Sequence, residues 1–417
     1  MSIGVVGLGY VGLPLVVAFA QAGEEVIAVD VDQRKVDAIN NGHSYVEDIP
    51  SEILASVLPK LTATTDYQPL AETEAVIICV PTPLTANREP DLKPLEDSAA
   101  ALAKVVRAGQ LVVLESTTYP GTTRELLAPA IERISSLKPG TDVNLAFSPE
   151  RVDPGRVDFT LKNTPKVIGG LTEACAERAA ELYGRVCDRI VRVSTPEAAE
   201  MTKLLENIFR SVNIALVNEL AMLADRMGID IWEVVEAATS KPYGFMRFEP
   251  GPGMGGHCLP VDPFYLTWRA REFQMSTEFI ELAGKINQQM PHYCVERIEL
   301  ALNAVRKPIN GSKIAILGVA YKGGIGDIRE SPSLHIIEVL RDRGANLVYH
   351  DPYVPELRNF KLVNTPLDEA LSGADAVVLV TAHPELDHLE IASQASLFVD
   401  LRGITRGQQT SQSLVRL

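Results

Sequence analysis

Four residues, Ile3-Gly4-Val5-Val6, run without a break into Gly7-Leu8-Gly9-Tyr10-Val11-Gly12, and this junction restricts the fold more than any other stretch of the chain. A short apolar run of this kind reads as a buried parallel strand. The turn after it carries glycine where a strand-to-helix turn must pass close to a ligand and to its own helix. A helix is predicted to follow as far as Ala22, stopped by Gly23, and a second strand to occupy Glu25–Val29, closed by Asp30. Strand, glycine turn, helix, strand and acid in that order mark a dinucleotide-binding half-fold, in which pyrophosphate rests on the helix N-terminus and the acid takes the ribose hydroxyls. A carboxylate at Asp30 would repel a 2′-phosphate, so NAD is expected rather than NADP. The predicted cofactor contacts are Gly7, Gly9, Tyr10, Val11, Gly12 and Asp30, with Arg34 close by.

The pattern then alternates as an open parallel sheet requires. Apolar strands at 75–80, 111–115 and 143–147 run into Pro81-Thr82-Pro83, Ser116-Thr117-Thr118 and Ser148-Pro149-Glu150-Arg151. Ligands of such sheets sit beyond the carboxyl ends of the strands, where Thr82, Thr117 and Glu150 all fall. A single Ser or Thr there is more often a cap or turn former; a carboxylate is a candidate base. Thr195-Pro196-Glu197 reads as a helix start, with Thr195 as N-cap and Pro196 at the first position. The helix is predicted to reach Met227 with Met201, Leu204, Leu205, Ile208 and Val212 on its apolar face. Lys203 and Asn207 are four apart and share a face. So long a helix between two α/β units is a natural spine for dimerisation.

A third segment repeats the first in degenerate form. Lys313–Leu317 is a strand, Gly318-Val319-Ala320-Tyr321-Lys322-Gly323 replaces the middle glycine by Ala320, and Asn346–His350 is a strand ending at Asp351. Lys322, Arg329 and Arg402 lie at or after strand ends, suited to phosphate. The expected architecture is therefore α/β: two Rossmann-like, doubly wound parallel-sheet units at 1–194 and 303–417, joined by a mostly helical central segment at 195–302.

Within that segment, Pro250-Gly251-Pro252-Gly253-Met254-Gly255-Gly256-His257-Cys258-Leu259-Pro260-Val261-Asp262-Pro263 predicts irregular backbone throughout, because Gly and Pro at this density oppose a regular helix or strand. Backbone can approach a ligand closely at its glycines, and Cys258 among them is read as a nucleophile. The five cysteines have no metal or disulfide spacing, no apolar run has the length of a membrane span, and no secretory leader precedes the first strand. These features fit a reducing cytoplasm. A net charge of −15 over 417 residues argues against non-specific nucleic-acid binding.

Together, Gly7-Leu8-Gly9-Tyr10-Val11-Gly12, Ser148-Pro149-Glu150, Lys203 with Asn207, Gly255-Gly256-His257-Cys258 and Asp327-Ile328-Arg329-Glu330-Ser331-Pro332 resemble the UDP-glucose/GDP-mannose dehydrogenases along nearly the whole chain. The resemblance implies oxidation of a sugar-nucleotide primary alcohol at the 6-position to a carboxylate by two NAD. It assigns Cys258 as the thiohemiacetal and thioester nucleophile, Lys203, Asn207 and Asp262 to a catalytic polar cluster, and Glu150 to acid/base work in thioester hydrolysis. Thr117 would position water or cofactor, and Thr82 and Arg329 would lie near NAD. Glu150, Arg151, Lys203, Asn207, Gly253, Gly255, Lys322 and Arg402 would meet the substrate, and the enzyme would be a homodimer or higher homo-oligomer. The stretches 149–155 and 241–245, and Val261 where the UDP-glucose enzymes have lysine, are similar to the N-acetylhexosamine branch, UDP-N-acetylglucosamine 6-dehydrogenases in particular. Asp153-Pro154 stands where the UDP-glucose enzymes carry a second glutamate. The competing expectations are UDP-N-acetylmannosamine or UDP-glucose as substrate and, in another class, an NAD-binding protein whose Cys258 is structural or redox-sensing.

Overall fold

The structure, a computed structural model, describes residues 1–46, 48–85, 89–152, 158–256, 258–407 and 413–417, and leaves the side chains of 258–260 outside that description. Asp153, Pro154, Gly155 and His257, singled out above, therefore lie outside the described residues, and Cys258 is described in its backbone only. The chain divides into two compact units, one of Met1–Glu206 with Phe264–Ser276, the other of Asn207–Pro263 with Thr277–Leu417.

The first unit is built on an eight-stranded sheet in the order Leu61–Thr64, Glu25–Val29, Ser2–Val6, Ala75–Ile78, Leu111–Leu114, Asn144–Phe147, Lys166–Gly170, Ile190–Val193. Successive residues of a strand point to opposite faces, and both faces are covered: Ile77 and Val113 enter one core, while Val76, Ile78, Val112 and Leu114 enter the other. This is why the strands read as unbroken apolar runs. The strand order reverses between Ser2–Val6 and Ala75–Ile78, which opens a crevice beyond their carboxyl ends. The one antiparallel pairing among the described strands of this sheet joins Asn144–Phe147 to Lys166–Gly170.

The second unit repeats the plan in a five-stranded parallel sheet, Asn346–His350, Lys313–Leu317, Ala376–Leu379, Leu397–Asp400, Ser413–Arg416. Ile314 and Ile316 enter one core, Ala315 and Leu317 the other. The helices Ile231–Thr239 and Glu278–Ala304 also belong to this unit, and the Trp232 indole N–H donates to the Leu417 carbonyl at 3.1 Å. No helix among the described residues is long and apolar enough to cross a membrane.

Two expectations are corrected. The glycine-proline stretch is not irregular throughout: a helix, Cys258–Glu272, begins at the cysteine and contains Pro263. The first four N–H groups of a helix have no intrahelical partner, so Pro260 at the third position removes nothing, and Pro263 removes a single bond. The glycines end at 256, and of the two prolines after them Pro260 is a first-turn residue while Pro263 lies inside the helix. The other correction concerns the helix Pro196–Met227. It starts as predicted, Thr195 Oγ1 accepting from Ala198 N at 3.2 Å. Its apolar face does not all point inward, however. Leu204 is buried, but Met201, Leu205, Phe209, Leu216, Leu220, Leu223 and Met227 are exposed, whereas Glu200, Lys203, Asn207, Ser211 and Asn218 are buried. The buried side is mixed, for Ala199, Leu204, Ala215, Val217, Ala221 and Ala224 are buried beside these polar residues.

Candidate active site

In the first unit the glycine turn opens the crevice. Gly7 has a φ of +91°, and a Cβ at Gly12 would stand 1.8 Å from the Gly7 carbonyl oxygen, so both positions demand glycine. Gly9 has no atom within 4 Å of where its Cβ would be. Tyr10 is exposed and Val11 half-buried above it. The Asp30 carboxylate accepts from Leu8 N at 2.8 Å and Asp32 N at 2.9 Å, which aims it across the turn. The basic side chain beside Asp30 is Lys35, its Nζ 3.1 Å from Oδ2; Arg34 is 90% exposed and bound to Asp32. Lys35 went unread because it lies one residue beyond the arginine, on the next step of the helix Gln33–Asn40.

Thr82 and Thr117 are buried at the crevice, and the Ser116 hydroxyl ties their loops together by donating to the Val80 carbonyl at 2.8 Å. The Thr82 carbonyl accepts from the Tyr265 hydroxyl at 2.9 Å. Glu200 accepts from Gly121 N at 2.6 Å and from Thr123 N and Oγ1 at 2.9 and 2.7 Å, fastening the loop that carries Thr117 to the long helix. Arg151 is held by Glu206 at 2.6 Å and by the Pro165 carbonyl at 2.6 Å. Glu150 accepts from Arg151 N and Val152 N and lies 3.2 Å from Lys166 Nζ. Burial works to raise its pKa, but the Lys166 charge and the Val152 N–H overcome this and hold it at about 2. Lys203 is only 9% exposed, and its ammonium makes no hydrogen bond or ion pair among the described residues.

The second unit brings its predicted residues onto one loop and the turn it touches. Gly253 has a φ of +127°, and a Cβ at Gly255 would meet the Tyr321 side chain at 2.5 Å. Gly256 N donates to the Arg329 carbonyl at 2.9 Å and Gly251 N to Asn218 Oδ1 at 2.9 Å. Lys322 follows Tyr321 on that turn, and an Arg402 guanidinium nitrogen lies 3.1 Å from the Cβ position of Gly251. Arg329 points its guanidinium at Asp327, at 2.6 Å. Asn207 is buried, donating to the Asp262 carboxylate and accepting from Arg210, so Arg210 joins the group unannounced by any motif.

Comparison with known proteins gives this arrangement its context. Residues 1–187 match the NAD binding domain of the UDP-glucose/GDP-mannose dehydrogenase family, 197–289 its central domain and 315–407 its UDP binding domain. The chain belongs to the UDP-glucose/GDP-mannose dehydrogenase family. It is 39% identical to a UDP-N-acetyl-D-mannosamine dehydrogenase of Pyrococcus horikoshii over 92% of this chain and 90% of that protein. It is 36% identical to the enzyme of that name from Escherichia coli K12, over 97% of this chain and 99% of that one. A solved UDP-D-ManNAc dehydrogenase structure from Pyrococcus horikoshii superposes with a TM-score of 0.92 at 36% identity, covering 100% of this chain and 99% of that one. As an NAD-dependent UDP-sugar dehydrogenase, the protein has NAD as its cofactor, and the turn fits it: Gly9 leaves open space where a side chain would stand, and Asp30 is fixed beside it.

Proposed function

We propose that the protein oxidises the 6-hydroxymethyl group of a UDP-N-acetylhexosamine to the carboxylate, with UDP-N-acetyl-D-mannosamine as the preferred sugar. The family and the 39% identity to a protein of that name support this order over UDP-N-acetylglucosamine and UDP-glucose. NAD, when bound, accepts one hydride from the alcohol and a second from the sulfur adduct of the aldehyde. Cys258 adds to the aldehyde as thiolate, holding it as a thiohemiacetal and then as a thioester. A helix N-terminus favours a thiolate over a thiol, and residue 258 opens the helix Cys258–Glu272. Water then adds to the thioester carbonyl, the C–S bond breaks, and sulfur regains a proton.

The observation that carries this reading is the ammonium of Lys203, buried with no partner among the described residues. An unpaired buried charge is costly and persists where a ligand supplies the opposite charge. Lys203 is the group that balances the oxyanion on C6, with Asn207, fixed by Asp262 and Arg210, as a neutral donor to it. Glu150 faces the water of the hydrolytic step. Thr82 and Thr117 serve NAD, as do Arg34 and Arg329, and Arg151, Gly253, Gly255, Lys322 and Arg402 serve the nucleotide sugar. We assign 1–194 to the cofactor, 195–302 to dimerisation and the cysteine, and 303–417 to the UDP-sugar, in a cytoplasmic enzyme. The exposed Leu216, Leu220, Leu223 and Met227 support a homodimer through the long helix; sedimentation as a monomer would remove that assignment. The main test is NADH yield from a panel of UDP-sugars. Two NADH per UDP-N-acetylmannosamine, with the highest kcat/KM of the panel, is expected. One NADH per sugar overturns the thioester route, and a preference for UDP-glucose overturns the substrate class.

A further inference from the structure

Behind Glu150 lies a buried cluster of charges that the reaction as drawn does not use. Lys166 is 3% exposed at the start of the strand Lys166–Gly170. Its Nζ contacts Glu115 Oε1 and lies 3.2 Å from Glu150 Oε2. The second oxygen of Glu115 accepts from the Tyr183 hydroxyl, and the ammonium stands 5.1 Å from the centre of the Tyr183 ring. The other oxygen of Glu150 accepts from Arg151 N at 2.8 Å and Val152 N at 2.5 Å. Among the described residues, the remaining titratable neighbours are the thiols of Cys79 and Cys187, with Asp188 beside the latter.

Topology explains the meeting. Glu115 and Glu150 follow the parallel strands Leu111–Leu114 and Asn144–Phe147, so both lie beyond carboxyl ends. Lys166 begins its strand, and in a parallel neighbour it would lie at the opposite edge. That strand is antiparallel to Asn144–Phe147, with Phe147 opposite Gly169. Extending the register by three residues sets 150 opposite 166. The reversal of one strand thus delivers an ammonium to the catalytic edge of the sheet.

A buried ammonium is tolerated when paired and fully hydrogen-bonded, and this one has a carboxylate on each side. The two carboxylates are not equivalent. Burial pushes Glu115 up, and although Lys166 pulls it down, Glu150 adds to the rise and it settles at about 7. Glu150 has two backbone N–H groups besides the ammonium and keeps its charge. Both oxygens of Glu150 are engaged by donors, the ammonium on one and two backbone N–H groups on the other, an arrangement that favours the carboxylate over its acid.

We propose that Lys166 is a positioning residue for Glu150, fixing that carboxylate as a charged hydrogen-bond acceptor that orients the attacking water and does not itself take up the proton. The water oxygen bonds to the thioester carbon, the C–S bond breaks, and the proton passes to the departing sulfur. This inference rests on the placement of Glu150 in the hydrolytic step given above.

The test pairs Lys166→Met with Glu115→Gln, which removes one positive and one negative charge together, and uses Lys166→Arg as the conservative rescue. Carboxyl titration by infrared spectroscopy on 13C-Glu protein without substrate reads Glu150 directly, its band identified by loss in Glu150→Gln. In the wild type Glu150 stays ionised down to about pH 4. In the double variant it takes up a proton between about pH 4 and 7, kcat gains an acid limb in that window and falls about 10²-fold, and Lys166→Arg keeps the wild-type profile. A folded double variant whose Glu150 remains ionised to about pH 4, or whose kcat profile is unchanged, overturns the proposal. If the double variant does not fold, Glu115→Gln alone decides. It should lose the group that titrates near 7 while Glu150 stays ionised, and a Glu150 that titrates near 7 there overturns the assignment. The infrared measurement needs no turnover, so failure of every UDP-sugar to yield NADH would strike the proposed function and leave the Lys166 result standing.

Discussion

Replacing Lys203 by Met should make the protein more stable and nearly inactive. The side chain is 9% exposed, and its ammonium has no hydrogen-bond or ion-pair partner among the described residues. Methionine keeps most of the stem and removes the charge. Relief of a nearly buried charge that has no partner among the described residues is worth about 1–3 kcal/mol, a fraction of the full desolvation cost because residual exposure lets water reach the nitrogen. For a unit of about 200 residues that is a rise of roughly 2–4 °C in Tm per kcal/mol. Loss of a preorganised charge at a developing oxyanion costs about 10²–10³ in kcat. The assay is thermal unfolding without ligand, beside single-turnover NADH formation at saturating NAD and UDP-sugar. A lysine that only supports the fold lowers both quantities when removed; one held ready for a ligand moves them in opposite directions. A variant that melts below wild type, or keeps kcat within about threefold, refutes the reasoning.

Two further outcomes are expected. Cys258→Ala should lose net four-electron oxidation by several orders of magnitude while NAD binding, measured by calorimetry, stays within about threefold, because the glycine turn and the partners that fix Asp30 come from residues 7–35; near wild-type yield of two NADH per sugar would show another nucleophile. Glu200 is pushed up to about 7 by burial, against the pull of Thr123 and the Gly121 N–H. Its folded value lies above the ordinary 4.5, so its contribution to stability is whole below about pH 4.5 and is lost as pH rises to about 7, at about 1 kcal/mol per pH unit. Glu200→Gln should flatten that slope in urea unfolding at pH 5, 6 and 7, and a slope unchanged by the substitution contradicts the assignment.

What could be read in advance follows from how local each signal is. The half-fold at the N-terminus was legible because strand, glycine turn and acid lie within thirty residues, and two of the three glycines, Gly7 and Gly12, answer a φ or a clash that the turn itself creates. Pro196 marked a helix start for the same reason, since its missing N–H is one the first turn never uses. The helix at Cys258 was hidden by that same rule: prolines in a first turn look like loop residues until the turn is located. The face of the helix Pro196–Met227 was misread because a 3.6-residue period reveals two faces but not which one the chain covers. The cluster at Lys166 had no local signature at all. Residues 115, 150, 166 and 183 come from separate elements, and only the antiparallel turn of one strand makes them neighbours.

The two Rossmann-like units place an acid at the same motif position and surround it differently. Asp30 and Asp351 both close the second strand of their unit. Asp30 receives two backbone N–H groups and the Lys35 ammonium. Asp351 is fully buried and receives four, from Val319 and Ala320 at 2.7 and 3.0 Å and from Tyr353 and Val354 at 2.9 and 3.2 Å, with His383 Nε2 at 3.0 Å besides. Five partners on two oxygens leave a carboxylate little capacity for ribose hydroxyls. The turns differ in the same sense. Space stands open at Gly9, whereas Ala320 in the same place is fully buried. Val319 N is spent on Asp351 as its counterpart Leu8 N is on Asp30, but Ala320 N, the counterpart of Gly9 N, is spent on Asp351 as well. A single Gly-to-Ala difference in the sequence is therefore the outward mark of a turn that commits one more backbone donor to its own fold.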